Sequence, residues 1–256
     1  KKLIIELATF NDKKMKIAFI PATFLPIIGG AEIQTHNLAN KLEEKNIKID
    51  VWNLNEIKIK NNKYNIKKFN HFLINLIFIL KYYLNLDLSF LLEIYINRII
   101  EKYKYDVWHF HSLNYKLLLI INILKKNKQK IVITLHGADI QINKEINYGY
   151  RLDLKFNKLF LKMIDKADYI HAISKEIENL LLNLNIEKKK IINIPNSIPL
   201  KKFYKKNRDN DELFTLITVA RNATLKKGYD FVELIAKELI LKCNFKWKII
   251  GRKVEI

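Results

Sequence analysis

Between residues 16 and 200, short apolar runs of strand length alternate with stretches whose apolar residues recur at helical spacing. That alternation constrains the fold more than any other feature. The runs Ile17–Ile20, Ile47–Leu54, Tyr105–Phe110, Ile131–Leu135, Asp168–Ile173 and Ile191–Ile194 read as strands. Helical patterns lie between most of them: from Ala31, with Thr35, Leu38, Ala39 and Leu42 on one face; two helices within His71–Lys102; Tyr115–Lys125; Arg151–Lys166; and a helix after Ser174, whose hydroxyl is placed to cap it. Asn55–Asn70 is lysine- and asparagine-rich and reads as loop with room for one strand. Strands alternating with helices imply an α/β fold with a doubly wound parallel sheet.

Lys201–Asp211 (KKFYKKNRDND) is polar and charged and reads as a linker. Beyond it a second unit begins: strand Leu213–Ala220, loop Arg221–Lys227, helix Gly228–Lys242 and strand Phe245–Ile250. In that helix Phe231, Leu234, Ile235 and Leu239 are expected to pack on the two strands. The expected organisation is therefore a leader at 1–14, a first domain at 15–200, a linker at 201–211 and an incomplete second domain at 212–256.

Composition narrows the function classes. Hydrophobic residues make up 49% of the 256, enough for a core, and the single cysteine, Cys243, excludes an internal disulfide. The longest apolar stretch, Phe72–Leu80, stops at Lys81, too short for a spanning helix. The formal charge of +20 includes small clusters at Lys58–Lys68, Lys125–Lys130, Lys188–Lys190 and Lys201–Lys206. Such clusters suit an anionic membrane surface or a solvated lysine-rich surface. No zinc-ligand spacing, RNA-binding aromatic signature or helix-turn-helix pattern accompanies them, so specific nucleic-acid binding is not expected.

Chemistry in such a sheet gathers at the carboxyl ends of the strands. The stretch Lys16–Lys45 runs strand, glycine loop, helix start, an arrangement that aims free backbone N–H groups at a phosphate, with Gly29 and Gly30 admitting a close ligand. His109 and His111, His136, Asn196, and Arg221 with Lys227 fall at other strand ends. A histidine there serves as hydrogen-bonder or as catalytic group, Asn196 as Asx turn or ligand contact. Arg221 and Lys227 bracket a corner suited to a diphosphate. The His109-x-His111 pair has the spacing of metal ligands, but no carboxylate or cysteine set completes such a site.

Taken in order, six stretches resemble glycosyltransferase family 4, the retaining GT-B enzymes that use nucleotide sugars. They are PIIGGAE (Pro26–Glu32), VWHFHS (Val107–Ser112), ITLHGADI (Ile133–Ile140), ADYIHAIS (Ala167–Ser174), IPNSI (Ile194–Ile198) and TVARNATLKKGYD (Thr218–Asp230). The resemblance implies two Rossmann-like domains, the first receiving the acceptor and the second the nucleotide sugar. It implies that Gly29 and Gly30 face the donor diphosphate, that Asn196 contacts the donor, that His136 lies against the transferred sugar, and that Arg221 and Lys227 neutralise the leaving diphosphate. No metal or other cofactor is implied. Ser197 and Ala220 stand where the family has glycines, and the resemblance ends near Gly251, before the family's donor-gripping glutamate pair.

The expected function is sugar transfer from a nucleotide sugar to a glycan or lipid-linked acceptor, in surface polysaccharide or glycolipid synthesis. The expected location is cytoplasmic, at the inner face of the membrane, with the chain by itself weak or inactive in transfer. The alternatives are a non-catalytic remnant that binds acceptor or membrane, and a GT-B nucleotide-sugar epimerase.

Overall fold

The computed structural model describes residues 14–54, 59, 61–198, 213–222 and 225–252. The leader expected at 1–14, except its last residue, and the linker expected at 201–211 lie outside the described residues. By its contacts the chain divides into a larger unit reaching Asn196 and a smaller one made of 143–148 and the residues from Ser197.

The larger unit is built on a seven-stranded sheet: β1 (Lys16–Pro21), β2 (Lys48–Asn53), β3 (Asn65–Lys68), β4 (Val107–His111), β5 (Ile131–Leu135), β6 (Tyr169–Ala172) and β7 (Ile191–Asn193), in the order β3-β2-β1-β4-β5-β6-β7. Every neighbouring pair is parallel. Among the described residues six helices connect them: α1 (Gly30–Glu43), α2 (His71–Tyr83), α3 (Ser89–Tyr103), α4 (Tyr115–Lys126), α5 (Leu154–Ile164) and α6 (Lys175–Asn183).

The chain moves one way across the sheet from β1 to β3 and the other way from β3 to β7. Right-handed crossovers therefore put α1 on one face and α2 to α6 on the other. Alternate strand residues divide accordingly. Ala18, Ile20, Trp108, Phe110, Ile133 and Ile170 join the large core under α2–α6, whereas Phe19, Ile49 and Val51 pack with Ala39 of α1.

Several helix starts are set by short polar residues that accept the orphan N–H groups of the first turn. Asn70, Asn114, Asp153 and Ser174 bond the backbone N–H of Leu73, Leu117, Phe156 and Ile177. Asp153 corrects the helix expected over Arg151–Lys166. Tyr150–Leu152 is a separate 3₁₀ turn and α5 begins only at Leu154, because the Asp153 cap fixes the start.

The smaller unit holds β8 (Phe214–Asn222), α7 (Asp230–Ile240) and β9 (Phe245–Arg252), with β8 and β9 parallel. Arg221, expected in a loop, lies within β8. On α7 only Val232 is buried, while Phe231, Leu234 and Ile235 stay exposed, against the expected packing. Two strands offer too narrow a surface to cover a full helical stripe.

Candidate functional site

Because the seven strands are parallel, their carboxyl ends share one edge, and the order reverses between β1 and β4. A crevice opens at that reversal. The β1–α1 loop lines it. Gly29 caps α1 without a side-chain hydrogen bond, in extended backbone (φ −159°, ψ 171°) that any residue adopts. A Cβ on Gly30 would meet nothing within 4 Å. Gly30 is not demanded by the chain's own packing, and Gly29 is not demanded by its backbone conformation. Within the same loop the Thr23 hydroxyl donates to Glu32 Oε1 at 2.6 Å, fixing a buried carboxylate in the first turn of α1.

On the sheet face shared with α1, four histidines and a threonine replace the apolar residues of the opposite face. His109 Nε2 lies 2.8 Å from Thr134 Oγ1, which lies 3.0 Å from His171 Nδ1, and His171 Nε2 lies 2.7 Å from the carbonyl oxygen of Ile194. A carbonyl only accepts, so His171 carries its proton on Nε2 and, neutral, accepts at Nδ1 from the Thr134 hydroxyl. Thr134 in turn accepts from His109 Nε2–H. The result is a directional chain across β4, β5 and β6, ending on the segment just before Asn196. Burial keeps these rings neutral: His109 is pushed down to about 3, and His171 is also lowered.

His136 follows β5 directly. Its backbone N–H and that of Gly137 donate to Asp139 Oδ1 at 3.2 and 3.0 Å. Arg151 holds the far end of this turn, donating from Nη1 to the Ile140 carbonyl at 2.9 Å and from Nε to Asn157 Oδ1 at 2.8 Å. Among the described residues, three buried polar atoms here find no hydrogen-bond partner: His136 Nε2, His111 Nε2 and Asp139 Oδ2. The His111 and His136 rings are 6.1 Å apart. Burial lowers His136 to about 4, helped by His171 and opposed by Glu32, so the ring is neutral near pH 7 with one nitrogen available. Burial raises the Asp139 carboxyl to about 6 against the backbone N–H bonds that lower it.

Beside the β1–α1 loop lies a cavity of about 470 Å³, lined among others by Thr23, Pro26, Asn53, His71, Asn114 and Lys116. The Lys116 ammonium lies 5.9 Å from the centre of the Phe78 ring, and burial lowers its pKa. Among the described residues no group of three or more His, Cys, Asp or Glu is arranged to hold a metal ion. The His109 and His111 rings, 4.1 Å apart, pack on Phe19 instead.

Of the residues singled out in the sequence, Gly29, Gly30, His136 and Asn196 stand at the carboxyl edge of the larger unit, Asn196 exposed on the loop after β7. Arg221 and the exposed Lys227 belong to the smaller unit, at the end of β8 and in the 3₁₀ turn Leu225–Lys227. Sequence reasoning missed Thr23, Glu32, Thr134, Asp139, Arg151 and His171 as supports of the site. Polar residues inside apolar strands, such as Thr134 and His171, were the available signal.

The model of Glycosyltransferase Family 4 matches residues 28–202, more than half of the chain. The chain belongs to glycosyltransferase family 4. No curated protein sequence matches it. Among solved structures, the apo lipopolysaccharide outer core galactosyltransferase WaaB is 18% identical, with a TM-score of 0.54 over 93% of this chain and 60% of that one. A glycosyltransferase from Rickettsia africae ESF-5 is 17% identical, with a TM-score of 0.56 over 95% and 69%. Alr3699/HepE from Anabaena, solved with UDP and glucose, is 13% identical, with a TM-score of 0.58 over 93% and 70%. At these identities the likeness is one of fold, and it is the GT-B fold. The family-4 chain spans about three fifths of the length of WaaB.

Proposed function

We propose that the protein transfers a sugar from a nucleotide-sugar donor to a glycan or lipid-linked acceptor, with retention of anomeric configuration, in surface polysaccharide or glycolipid synthesis. The observation that carries this reading is His136: a neutral ring with a partnerless buried Nε2, on a braced turn at the carboxyl edge that Gly30 leaves open. UDP and glucose in the similar Alr3699/HepE structure support a nucleotide-sugar donor.

In this reading the Gly29–Gly30 turn lies along the donor diphosphate and Asn196 contacts the donor. His136 lies against the transferred sugar. The sugar's C1–O bond to phosphate breaks, the acceptor hydroxyl oxygen bonds C1 on the same face, and its proton leaves with the diphosphate. Arg221 and Lys227 neutralise the charge that gathers there, as preorganised cations do without reorganising. They take the role a divalent metal would have, so chelation of metals should leave turnover unchanged. The cavity beside Lys116 suits the acceptor. A nucleotide-sugar donor and one free cysteine fit the cytoplasmic side of a membrane.

The test is replacement of Arg221 and Lys227 by Ala, singly, in the full-length protein. Loss of a charge-assisted hydrogen bond costs about 1.5–3 kcal/mol, roughly a tenfold to hundredfold rise in KM for the nucleotide sugar. Unchanged kinetics in both variants would return the two residues to ordinary surface charges.

A further inference from the structure

Parallel strands bring all their amino ends to one edge of the sheet, opposite the edge that carries His136 and the β1–α1 loop. Helices α4 and α5 run back against the strands, so their last turns reach that amino edge too. Two lysine clusters far apart in the chain meet there. Lys125 comes from the last turn of α4, Lys130 directly precedes β5, and Lys166 lies in the turn after α5. Lys189 and Lys190 belong to the 3₁₀ turn Lys188–Lys190 before β7. All five line one cavity of about 720 Å³.

Charge and shape decide what such a cavity takes. Its five ammonium groups face two carboxylates, Asp165 and Asp168, and both carboxylates are engaged. Asp168 accepts from Lys125 at 2.7 Å and from the Ile131 N–H at 2.8 Å, and Asp165 accepts from Lys190 at 2.9 Å. The other three cations are less satisfied. Lys166 donates to the uncharged Asn122 Oδ1 at 2.7 Å, Lys189 pairs with Glu187 outside the wall, and among the described residues Lys130 meets no partner. An exposed ion pair is worth little and yields readily to a stronger anion. Below this rim the floor is apolar: Val107, Ile131 and Ala167 are buried, and Val132 and Tyr169 half-buried. A concave site of this size holds a small molecule rather than a flat surface. Closely spaced lysines match the oxygens of linked phosphates, and low-dielectric walls strengthen their field.

We propose that this amino-edge cavity is a second ligand site, for a small organic polyphosphate. Its phosphate groups sit among Lys130, Lys166 and Lys189, and its ring system lies over Val132 and Tyr169. Bound there, the ligand bridges the α4–β5 and α5–β6 turns and the turn before β7. The proposal stands apart from sugar transfer, because Gly29, Gly30, His136 and Asn196 do not line this cavity.

Calorimetric titration of the full chain with inorganic tripolyphosphate and with ATP, both free of divalent metal, tests it. Three variants are compared with the parent: K130A/K189A in the cavity, K45A/K158A with the same loss of charge elsewhere, and R221A. All four lysines are exposed, so neither double variant disturbs the core. The parent should bind ATP at least as tightly as tripolyphosphate, because adenosine covers the apolar floor, and ATP should raise its melting temperature. K45A/K158A and R221A should keep this binding. K130A/K189A should weaken about tenfold toward both probes and lose the ligand-induced rise, while melting at the parental temperature without ligand. An equal loss in K45A/K158A would reduce the effect to diffuse charge and overturn the proposal. So would tripolyphosphate binding more tightly than ATP, or no binding of either probe. Parental binding by K130A/K189A with loss in R221A would put the probe at the donor diphosphate, overturning the cavity site and leaving sugar transfer standing.

Discussion

At Gly30, in the first turn of α1, a Cβ would stand in open space. The backbone there is helical and asks for no glycine, and alanine is the better helix former by up to about 1 kcal/mol. The open space beside Gly30 leaves room for the donor diphosphate of the proposed reaction. G30A should therefore melt at the parent temperature or slightly above it, while KM for the nucleotide sugar rises about tenfold as the methyl group meets the diphosphate. Calorimetric melting and donor-saturation kinetics on the same preparation read both effects. A variant with parental KM would leave the loop as a plain turn. Gly149 is the contrasting case. It sits at φ +112°, and a Cβ there would fall on the Gln141 carbonyl, so its glycine is structural.

Strands β4, β5 and β6 are tied by more than their ladders. The chain from His109 through Thr134 to His171 and the Ile194 carbonyl crosses three strands on the face shared with α1. Its direction fixes both imidazoles as Nε2–H tautomers. Long-range nitrogen–proton NMR of the parent should show that tautomer for His109 and His171. An Nδ1–H signature on His171 would contradict the assigned direction. T134V keeps the shape of the threonine but removes its hydroxyl, leaving a donor on His109 and an acceptor on His171 unmet. The expected cost is about 1–3 kcal/mol. Faster amide exchange should follow in the segment after β7 that the chain anchors.

For the molecule as a whole, buried and half-buried histidines set the acid limb of stability. His109 and His136 fall to about 3 and about 4, and His111 and His171 are lowered as well, all chiefly by burial. A base whose folded pKa lies below its unfolded value near 6.5 contributes stability that is fully present above 6.5 and is lost as pH falls toward the folded values. Asp139 acts in the opposite sense. Its folded pKa of about 6 exceeds the ordinary 3.8, so its contribution is present below 3.8 and is lost as pH rises through 6. Four histidines outweigh one carboxyl, and the growing positive charge of a chain already at +20 adds repulsion. The melting temperature should fall steadily from pH 7 to pH 5. A flat profile over that range would show that the histidines are not held neutral by the fold.

The elements were legible in the sequence because their causes are local. Apolar runs of strand length, helical spacing and the Ser174 cap act over a few residues, and they place Gly29, Gly30, His136 and Asn196 at strand ends without any tertiary information. Parallel order and handed crossovers then follow from the alternation of strand and helix. What makes the strand ends a site was decided only by the tertiary structure. The Thr23–Glu32 contact, the Arg151 brace on Ile140 and the Thr134–His171 bond join residues through strand register and loop packing. The exposure of Phe72 and Ile79 on α2 belongs to the same class. An apolar helix with no charged face reads as buried by composition, and only the packing of α2 against α3 and α4 determines which of its apolar residues are left exposed.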